Sequence, residues 1–173
     1  MIPQIETQSA VKIKMFQELK LKEMLSYISE HSTYYKNLFK SENIKPSLIQ
    51  TLEDLAHLPV TTKEDLQQHN TQFICVPNHK IVDYVTTSGT LGEPVIFALT
   101  DKDLDRLAYN EAISFACSGV QKDDVLQLMT TIDRRFMAGL AYFLRSRKLG
   151  SGIIRVGSGI PELQWDTIKK FKP

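Results

Sequence analysis

The alternation of strands and helices after His69 places the strongest constraint on the fold of this chain. The β-branched runs "KIVDYVTT" and "PVIFAL" flank a loop and precede a helical pattern from Asp101 to about Ser118. "DVLQLMTT" and "GIIRVG" then indicate strands, followed by the helical patterns "RRFMAGLAYFLRSRKLG" and "PELQWDTIKKF". Because a strand, helix, strand order typically joins parallel strands, the sequence predicts an α/β fold with a parallel or mixed sheet and flanking helices.

Residues 1–70 instead predict an N-terminal helical cap. From Ser9 to about Glu30, apolar residues recur at three- and four-residue intervals, namely Val11, Met15, Phe16, Leu19, Leu25 and Ile28. Ser32 is a candidate cap for a second helix, and two short helices each open with a threonine three residues before an aspartate, at Thr51 and Thr62. We therefore divide the chain into a helical segment, 1–70, and an α/β subdomain, 71–173.

Composition excludes several classes of protein. The 173 residues are 42% hydrophobic and 24% charged, which fits an ordinary globular domain. The net charge is only +1, which argues against nucleic acid as the main ligand. Cys75 and Cys117 have no metal-ligand spacing and favour a reduced, cytoplasmic chain. The most apolar stretch, "FMAGLAYFL", is about half the length needed to span a bilayer, so we expect no membrane contact.

The loop between the first two predicted strands, "TTSGTLGEP" at 86–94, is rich in glycine and hydroxyl side chains. Such a loop suits a polyphosphate, because glycines let backbone N–H groups approach the oxygens while hydroxyls add further donors. The alternative is a hairpin loop whose hydroxyls only satisfy their own backbone. Neither a Walker-type ending nor a dinucleotide glycine pattern is present, and spacing alone does not separate the two interpretations.

The same loop resembles the signature loop of adenylate-forming enzymes, and its surroundings resemble the phenylacetate-CoA ligase branch of that superfamily. The segments that resemble the branch, in its order, are "STYYKNLF", "IKPSLIQTLEDLAHLPVTTKEDLQ", "LTDKDLDRLAYNEA" and "GVQKDDVLQ". The resemblance extends from about residue 12 to Pro173. It implies that this chain is part of the large N-terminal domain of such an enzyme and that it is truncated relative to the full enzyme.

The resemblance also implies an activity, which is that of an acid:CoA ligase. The full enzyme would use ATP and Mg²⁺ to convert a small carboxylic acid into an acyl-adenylate, and would then form a thioester with coenzyme A. The phosphate contacts implied by the family motif are Thr87, Ser88, Gly89, Thr90 and Gly92, and Phe136 would line the acid pocket. The family's catalytic and metal-binding residues are expected beyond Pro173, so this part alone should be inactive, and we assign no metal site to it.

Two departures from the family pattern affect the expected site. Leu91 replaces a second threonine, and Glu93 places a negative charge beside the expected phosphates. Where the branch has a glycine- and aromatic-rich segment, this chain has "TTIDRRFMAG", and its Asp133-Arg134-Arg135 sequence makes a more polar or anionic acid conceivable. The same three residues could instead form a solvated helix terminus.

Other functions stay open at this stage. The chain could belong to a related synthetase that adenylates a deazaflavin coenzyme or loads a protein, or it could be an inert module for association or partner binding. Continuation of the reading frame past Pro173 would favour an enzyme. An uncovered strand edge and apolar surface would favour self-association, so we expect a homo-oligomer.

Two large side chains near the end of the sequence receive ordinary structural roles. Trp165 is interpreted as an anchor in the core or at an interface. Arg145 lies near the end of a predicted helix, where a cation complements the helix dipole.

Overall fold

The computed structural model describes residues 3–87 and 93–173, and these fall into two compact units, Met1–Asn78 and His79–Pro173. The first unit is helical and the second contains the strands. The division of the chain into domains at residue 70 stays a prediction.

The first unit consists of α-helices joined by short 3-10 turns. The helices are α1 (Ala10–His31), α2 (Thr33–Ser41) and α3 (Lys63–Gln68), and the 3-10 turns are Gln4–Thr7, Pro46–Leu48, Glu53–His57 and Asn70–Phe73. A further 3-10 turn, Asn78–Lys80, lies at the boundary between the units.

The core of this unit forms on only one side of α1. Leu21 and Leu25 of α1 are buried together with Phe39 and Ile49. Val11, by contrast, is 69% exposed. Helix residues advance by about 100° each, so Leu19 and Leu21 point to nearly opposite sides of α1, whereas Val11 lies within about 40° of Leu25 but near the start of the helix. The predicted amphipathic helix from Ser9 to about Glu30 is confirmed as Ala10–His31, but of its predicted apolar positions only Leu25 is buried, and Ile28 packs against the core.

The predicted helix caps in this unit are confirmed, because each depends on contacts between near neighbours. The Ser32 hydroxyl accepts a hydrogen bond from the Tyr35 amide at 3.3 Å, and Thr62 and Asp65 form a reciprocal capping box at the start of α3. Thr51 is a partial exception, because the segment after it forms a 3-10 turn and not an α-helix.

The second unit contains two pairs of strands and three longer helices among its described residues. The strands are β1 (Asp83–Thr86), β2 (Ile96–Leu99), β3 (Val125–Leu128) and β4 (Gly152–Arg155). The helices are α4 (Asp101–Cys117), α5 (Met137–Leu149) and α6 (Pro161–Phe171).

Strand pairing confirms the α/β class. β1 and β2 form an antiparallel hairpin with Val85 opposite Phe97, and β3 and β4 are parallel with Leu126 opposite Ile153. The parallel pair is joined through α5, as the strand, helix, strand order predicted. Within residues 3–87 and 93–173 the two pairs form separate two-stranded sheets.

Helices α4 and α5 pack closely through small residues and around one buried arginine. Ala108 and Ala112 of α4 and Ala141 of α5 are buried. Arg145 is 0% exposed, its guanidinium lies 3.6 Å from the centre of the Phe115 ring, and one of its N–H groups donates to the neighbouring Ser146 hydroxyl at 3.1 Å. Its Nε and Nη2 have no hydrogen-bond partner in the described part of the chain. The predicted position of Arg145 near the end of a helix is confirmed, but its burial against α4 was not predicted.

Helix α6 packs through polar residues, contrary to its apolar pattern. Gln164 and Thr167 are buried, whereas Trp165 is 62% exposed. The Gln164 side chain donates to the Gly157 carbonyl at 2.7 Å and accepts from Gln127 at 2.7 Å, so hydrogen bonds satisfy the inward face. Trp165 is not a core residue of this unit, and its role as an interface anchor stays a prediction.

Replacement of Arg145 by methionine is expected to stabilise the protein. Burial lowers the pKa of Arg145, against the opposing effect of Glu111, which shows that the charge is costly to bury. Methionine fills a similar volume and can contact the Phe115 ring, so we expect the free energy of unfolding to rise by about 1 kcal/mol. Urea denaturation followed by circular dichroism measures this, with R147M at an exposed neighbour as the control. A loss of stability above about 2 kcal/mol would contradict the expectation.

Acid is expected to weaken the start of α4 through Asp103. Burial acts to raise the pKa of Asp103, but hydrogen bonds from Thr100 and Arg106 outweigh burial, and the pKa lies below its usual value. The lowered pKa means that the stabilisation is complete above the unfolded-state pKa of about 3.9 and is lost as pH falls through the lower folded-state value.

D103N tests this sign. We expect the variant to lose about 1 kcal/mol of unfolding free energy at neutral pH and to approach the wild type as pH falls through the lowered folded-state pKa of Asp103. D105N is the matched control, because that carboxylate lies 4.0 Å from Lys148 and takes no part in the capping box. A difference in unfolding free energy between the wild type and D103N that does not change with pH would contradict this expectation.

Candidate functional site

The β1–β2 hairpin positions the loop that the sequence identified as a phosphate-binding candidate. β1 ends at Thr86, β2 begins at Ile96, and the described chain reaches Thr87 on one side and Glu93 on the other. The predicted contacts Ser88, Gly89, Thr90 and Gly92 lie outside the described residues. The structure thus shows how the loop is anchored at its base.

Thr87 closes the base of the loop by pairing with Val95. The Thr87 amide donates to the Val95 carbonyl at 3.0 Å, and the Val95 amide donates to the Thr87 hydroxyl oxygen at 3.0 Å. Val95 is buried, so this pair is held by the interior of the unit. The Thr87 hydroxyl retains its own O–H as a donor, and a phosphate contact by Thr87 stays a prediction.

A turn that precedes α5 lies beside the same end of β1. The Thr86 amide donates to the Arg135 carbonyl at 3.0 Å. Arg134 and Arg135 have φ values of 57° and 60°, the left-handed region that non-glycine residues adopt at a cost of about 1 kcal/mol or more each. The turn therefore brings two cationic residues to the strand that leads into the candidate loop.

This turn corrects the predicted start of α5. The sequence pattern began the helix at Arg134, and one interpretation made Asp133, Arg134 and Arg135 a solvated helix terminus. The helix begins at Met137, because left-handed backbone at two consecutive residues cannot continue into a right-handed helix. The arginines belong to a turn that is fixed by a hydrogen bond to β1.

Phe136, the predicted pocket residue, follows this turn directly. Its side chain is 43% exposed, and its amide donates to the Asp133 carbonyl at 3.1 Å. The Asp133 carboxylate in turn accepts a hydrogen bond from the Thr131 hydroxyl. Phe136 thus lies on the same turn as the two arginines, and its contact with an acid stays a prediction.

Gly139 is a part of the site that the sequence reasoning missed. A Cβ atom added at Gly139 would lie 1.8 Å from the Thr131 carbonyl oxygen and 3.0 Å from the Ile132 Cγ2 atom. Only glycine lets the first turn of α5 approach this carbonyl, and the approach holds the ends of the 131–139 segment together. An isolated glycine within the apolar helical pattern "FMAGLAYFL" is the signal that indicates such a contact.

The described residues offer neither a metal cluster nor a membrane span. In the two stretches 3–87 and 93–173, no group of three or more histidine, cysteine, aspartate or glutamate side chains could hold a metal ion. No helix in those stretches has the length and apolar character required to cross a bilayer.

Substitution of Gly139 by alanine is expected to destabilise the second unit strongly. The new methyl group would collide with backbone, which cannot rotate away as a side chain can, so we expect a loss of about 3 kcal/mol of unfolding free energy. G119A is the control: Gly119 has φ of 89° with no atom within 4 Å of the added Cβ, so only the left-handed penalty of about 1 kcal/mol applies. Equal losses for the two variants in urea denaturation would contradict the close approach.

Comparison with known proteins links this geometry to one group of enzymes. No family model matches the chain. The phenylacetate-coenzyme A ligase of Thermus thermophilus is 30% identical over 172 residues, which cover 99% of this chain and 38% of that enzyme. The phenylacetate-coenzyme A ligase of Escherichia coli is 30% identical over 171 residues, with 98% and 39% covered. The chain therefore spans little more than a third of the curated relatives it matches.

A solved structure shows the same fold. The crystal structure of 2-hydroxyisobutyryl-CoA ligase in complex with 2-HIB-AMP and CoA superposes with a TM-score of 0.85 at 24% identity, covering 96% of this chain and 36% of that one. The resemblance predicted from the loop and its flanking segments is confirmed. This chain is a homologue of the phenylacetate-coenzyme A ligases and has the fold of the N-terminal part of adenylate-forming ligases.

Proposed function

We propose that the protein to which this chain belongs is an ATP-dependent carboxylic acid:CoA ligase. It forms an acyl-adenylate and pyrophosphate, and then transfers the acyl group to the thiol of coenzyme A. The observation that supports this most strongly is the 30% identity to phenylacetate-coenzyme A ligases over 99% of the chain, with the motif "TTSGTLGEP" spanning the hairpin.

In this proposal the hairpin loop binds the β- and γ-phosphates of ATP. Ser88, Gly89, Thr90 and Gly92 supply hydroxyl and amide donors, and Thr87 fixes the base of the loop through Val95. Donors that are already in place stabilise the negative charge that develops on pyrophosphate as it leaves. The donor set fits a phosphate, because it combines N–H and O–H groups without a competing carboxylate among these five positions.

The proposed cofactors are ATP, Mg²⁺ and coenzyme A. The related structure was solved with an acyl-AMP and CoA, which supports the nucleotide and the thiol acceptor. Magnesium would bring charge neutralisation to the phosphates. The described residues contain no cluster suited to hold a metal, so we assign Mg²⁺ no ligand within residues 3–87 and 93–173 and derive no step through it.

The proposed substrate is a small carboxylic acid that binds near the turn at 133–136. Phe136 offers an aromatic surface there, and Arg134 and Arg135 add two positive charges beside β1. Arginine recognises carboxylate and other anionic groups through paired hydrogen bonds, which favours an acid more polar than an arylacetate.

We further propose a cytoplasmic homo-oligomer that contacts neither nucleic acid nor membrane. The free cysteines Cys75 and Cys117 support a cytoplasmic location, and the net charge of +1 argues against a nucleic-acid ligand. The exposed row of Val11, Met15 and Leu19 on α1 supports self-association, because neighbouring exposed apolar side chains form the kind of patch that marks protein contacts.

The inert-module alternative is also favoured by that exposed apolar surface, and enzymatic assay separates the two proposals. ATP–pyrophosphate exchange with the product of the complete reading frame, across a panel of carboxylic acids, should show acid-dependent exchange. A folded protein that is silent across the panel would support the inert module.

The loop itself is tested by S88A/T90A in the same assay. Removing two hydroxyl donors from the departing pyrophosphate should lower exchange between ten- and a hundredfold. S118A is the matched control, since its hydroxyl donates to the Phe115 carbonyl at 2.8 Å at the end of α4. Exchange that is unchanged in folded S88A/T90A would remove the loop from the mechanism.

A further inference from the structure

The N-terminal unit contains a cleft of about 380 Å³ between α1, α2 and the residues around the Pro46–Leu48 turn. This volume lies in the lower part of the range of small-molecule sites, about 300–1,000 Å³. We propose that the cleft binds a small organic phosphate, that is, a phosphate monoester with an apolar body. The inference uses residues 22–50 alone and does not depend on the proposed ligase activity.

Two lysines supply the positive charge of the cleft. Lys22 projects from α1 and Lys36 from α2, and both line the cleft. Elsewhere on α1, Lys14 lies 2.6 Å from Glu53 and Lys20 lies 2.6 Å from Glu23. By contrast, the described chain provides neither an ion pair nor a hydrogen bond for the ammonium groups of Lys22 and Lys36. Their charge is therefore available to a ligand.

Hydroxyl and amide groups accompany these charges. Ser26 and Ser29 follow Lys22 by four and seven residues, so the three lie on one face of α1 and all line the cleft. Ser47 and Gln50 line the cleft from the turn side, and the Gln50 side-chain amide already donates one hydrogen bond to the Ser47 carbonyl at 2.6 Å. Within the described residues the Ser26 and Ser47 hydroxyls form no hydrogen bond, so each can donate to an anion, as in a phosphate site.

The lining contains no aspartate or glutamate, which excludes a cationic ligand on electrostatic grounds. A carboxylate near the turn, that of Asp54, accepts the amides of Gln50 and Thr51 at 2.8 and 2.9 Å. Those backbone hydrogen bonds, Gln50 first, lower the pKa of Asp54 and engage its charge at the turn. Two cations with no lining carboxylate favour a ligand with two negative charges, and a phosphate monoester has nearly that charge at pH 7.

The apolar part of the lining argues for an organic phosphate over the free ion. Phe39 and Ile49 belong to the buried core of the unit, and both reach the cleft together with Pro46. An apolar body placed on these side chains would remove hydrocarbon from water on both partners, at roughly 25 cal/mol per Å². Inorganic phosphate would use the lysines and leave this surface in contact with water.

Titration of the full chain with phenyl phosphate, followed by ¹⁵N–¹H correlation spectra, tests the proposal. We expect amide shifts centred on Ser26, Ser47 and Gln50, and weaker binding as salt is raised from about 50 to 500 mM. Inorganic phosphate should bind at least tenfold more weakly, and benzyl alcohol should cause no comparable shifts. Shifts in this cleft are distinct from any that arise around Thr87 and Val95. A negative result in the cleft therefore does not contradict the proposed ligase function, and loss of the ligase function would not contradict phosphate binding in the cleft.

Lysine variants with a matched control complete the test. K22Q/K36Q should weaken phenyl phosphate binding by about tenfold, the scale expected from two solvent-screened charge pairs. K12Q/K40Q removes the same net charge from lysines outside the cleft and should bind as the wild type does. Equal losses in both double variants, equal binding of inorganic phosphate, or shifts confined to other residues would each overturn the proposal.

Discussion

The hydrogen bonds at the end of β1 hold the base of the proposed phosphate loop. The Thr86 amide is held by the Arg135 carbonyl, and Thr87 and Val95 pair through both an amide and a hydroxyl. These bonds connect the two ends of the candidate loop, Thr87 and Val95, with the turn before α5, which lies much further along the chain. A loop that must bind an anion gains from such anchoring, because its donors then lose less conformational entropy on binding.

The same region contains two local features that are unfavourable for folding and that the surrounding packing must offset. Arg134 and Arg135 have left-handed backbone, and the close approach of Gly139 to the Thr131 carbonyl leaves no space for a side chain. A third cost lies in the buried guanidinium of Arg145, which retains unpaired N–H groups beside Phe115. Left-handed backbone of this kind persists where surrounding contacts enforce it, and here the hydrogen bond from the Thr86 amide to the Arg135 carbonyl is one such contact.

In the N-terminal unit, neighbouring faces of α1 contribute to the core and to the proposed cleft. Leu21 and Leu25 build the core with Phe39, while the face of α1 that includes Lys22 and Ser26 lines the cleft. Phe39 contributes to both, since it is buried in the core and also reaches the cleft. Any ligand of the cleft would therefore contact Phe39, a side chain that core packing already orders.

Much of the local structure could be predicted from the sequence because near neighbours determine it. The capping boxes at Thr62 and Thr100 depend on residues three positions apart, and the parallel pairing of β3 and β4 follows from the handedness and length of a crossover. The family resemblance was also legible in the motif order, and the comparisons confirmed it. The residues of the phosphate loop could be named from that motif, although their contacts stay predictions.

Tertiary structure alone decided which faces of these elements are buried. From residue type alone, Trp165 is expected to be buried and Gln164 exposed. Gln164 is buried instead, because Gln127 and Gly157 form hydrogen bonds with its side-chain amide. Arg145 is buried because α4 places Phe115 against it, and the Arg134–Arg135 turn exists because β1 offers it an amide. The sequence by itself determined the elements, their caps and their order, since those depend on contacts along the chain. The buried arginine, the arginine turn and the lysine cleft required the fold, because their partners lie on other elements whose distance and orientation no local pattern encodes.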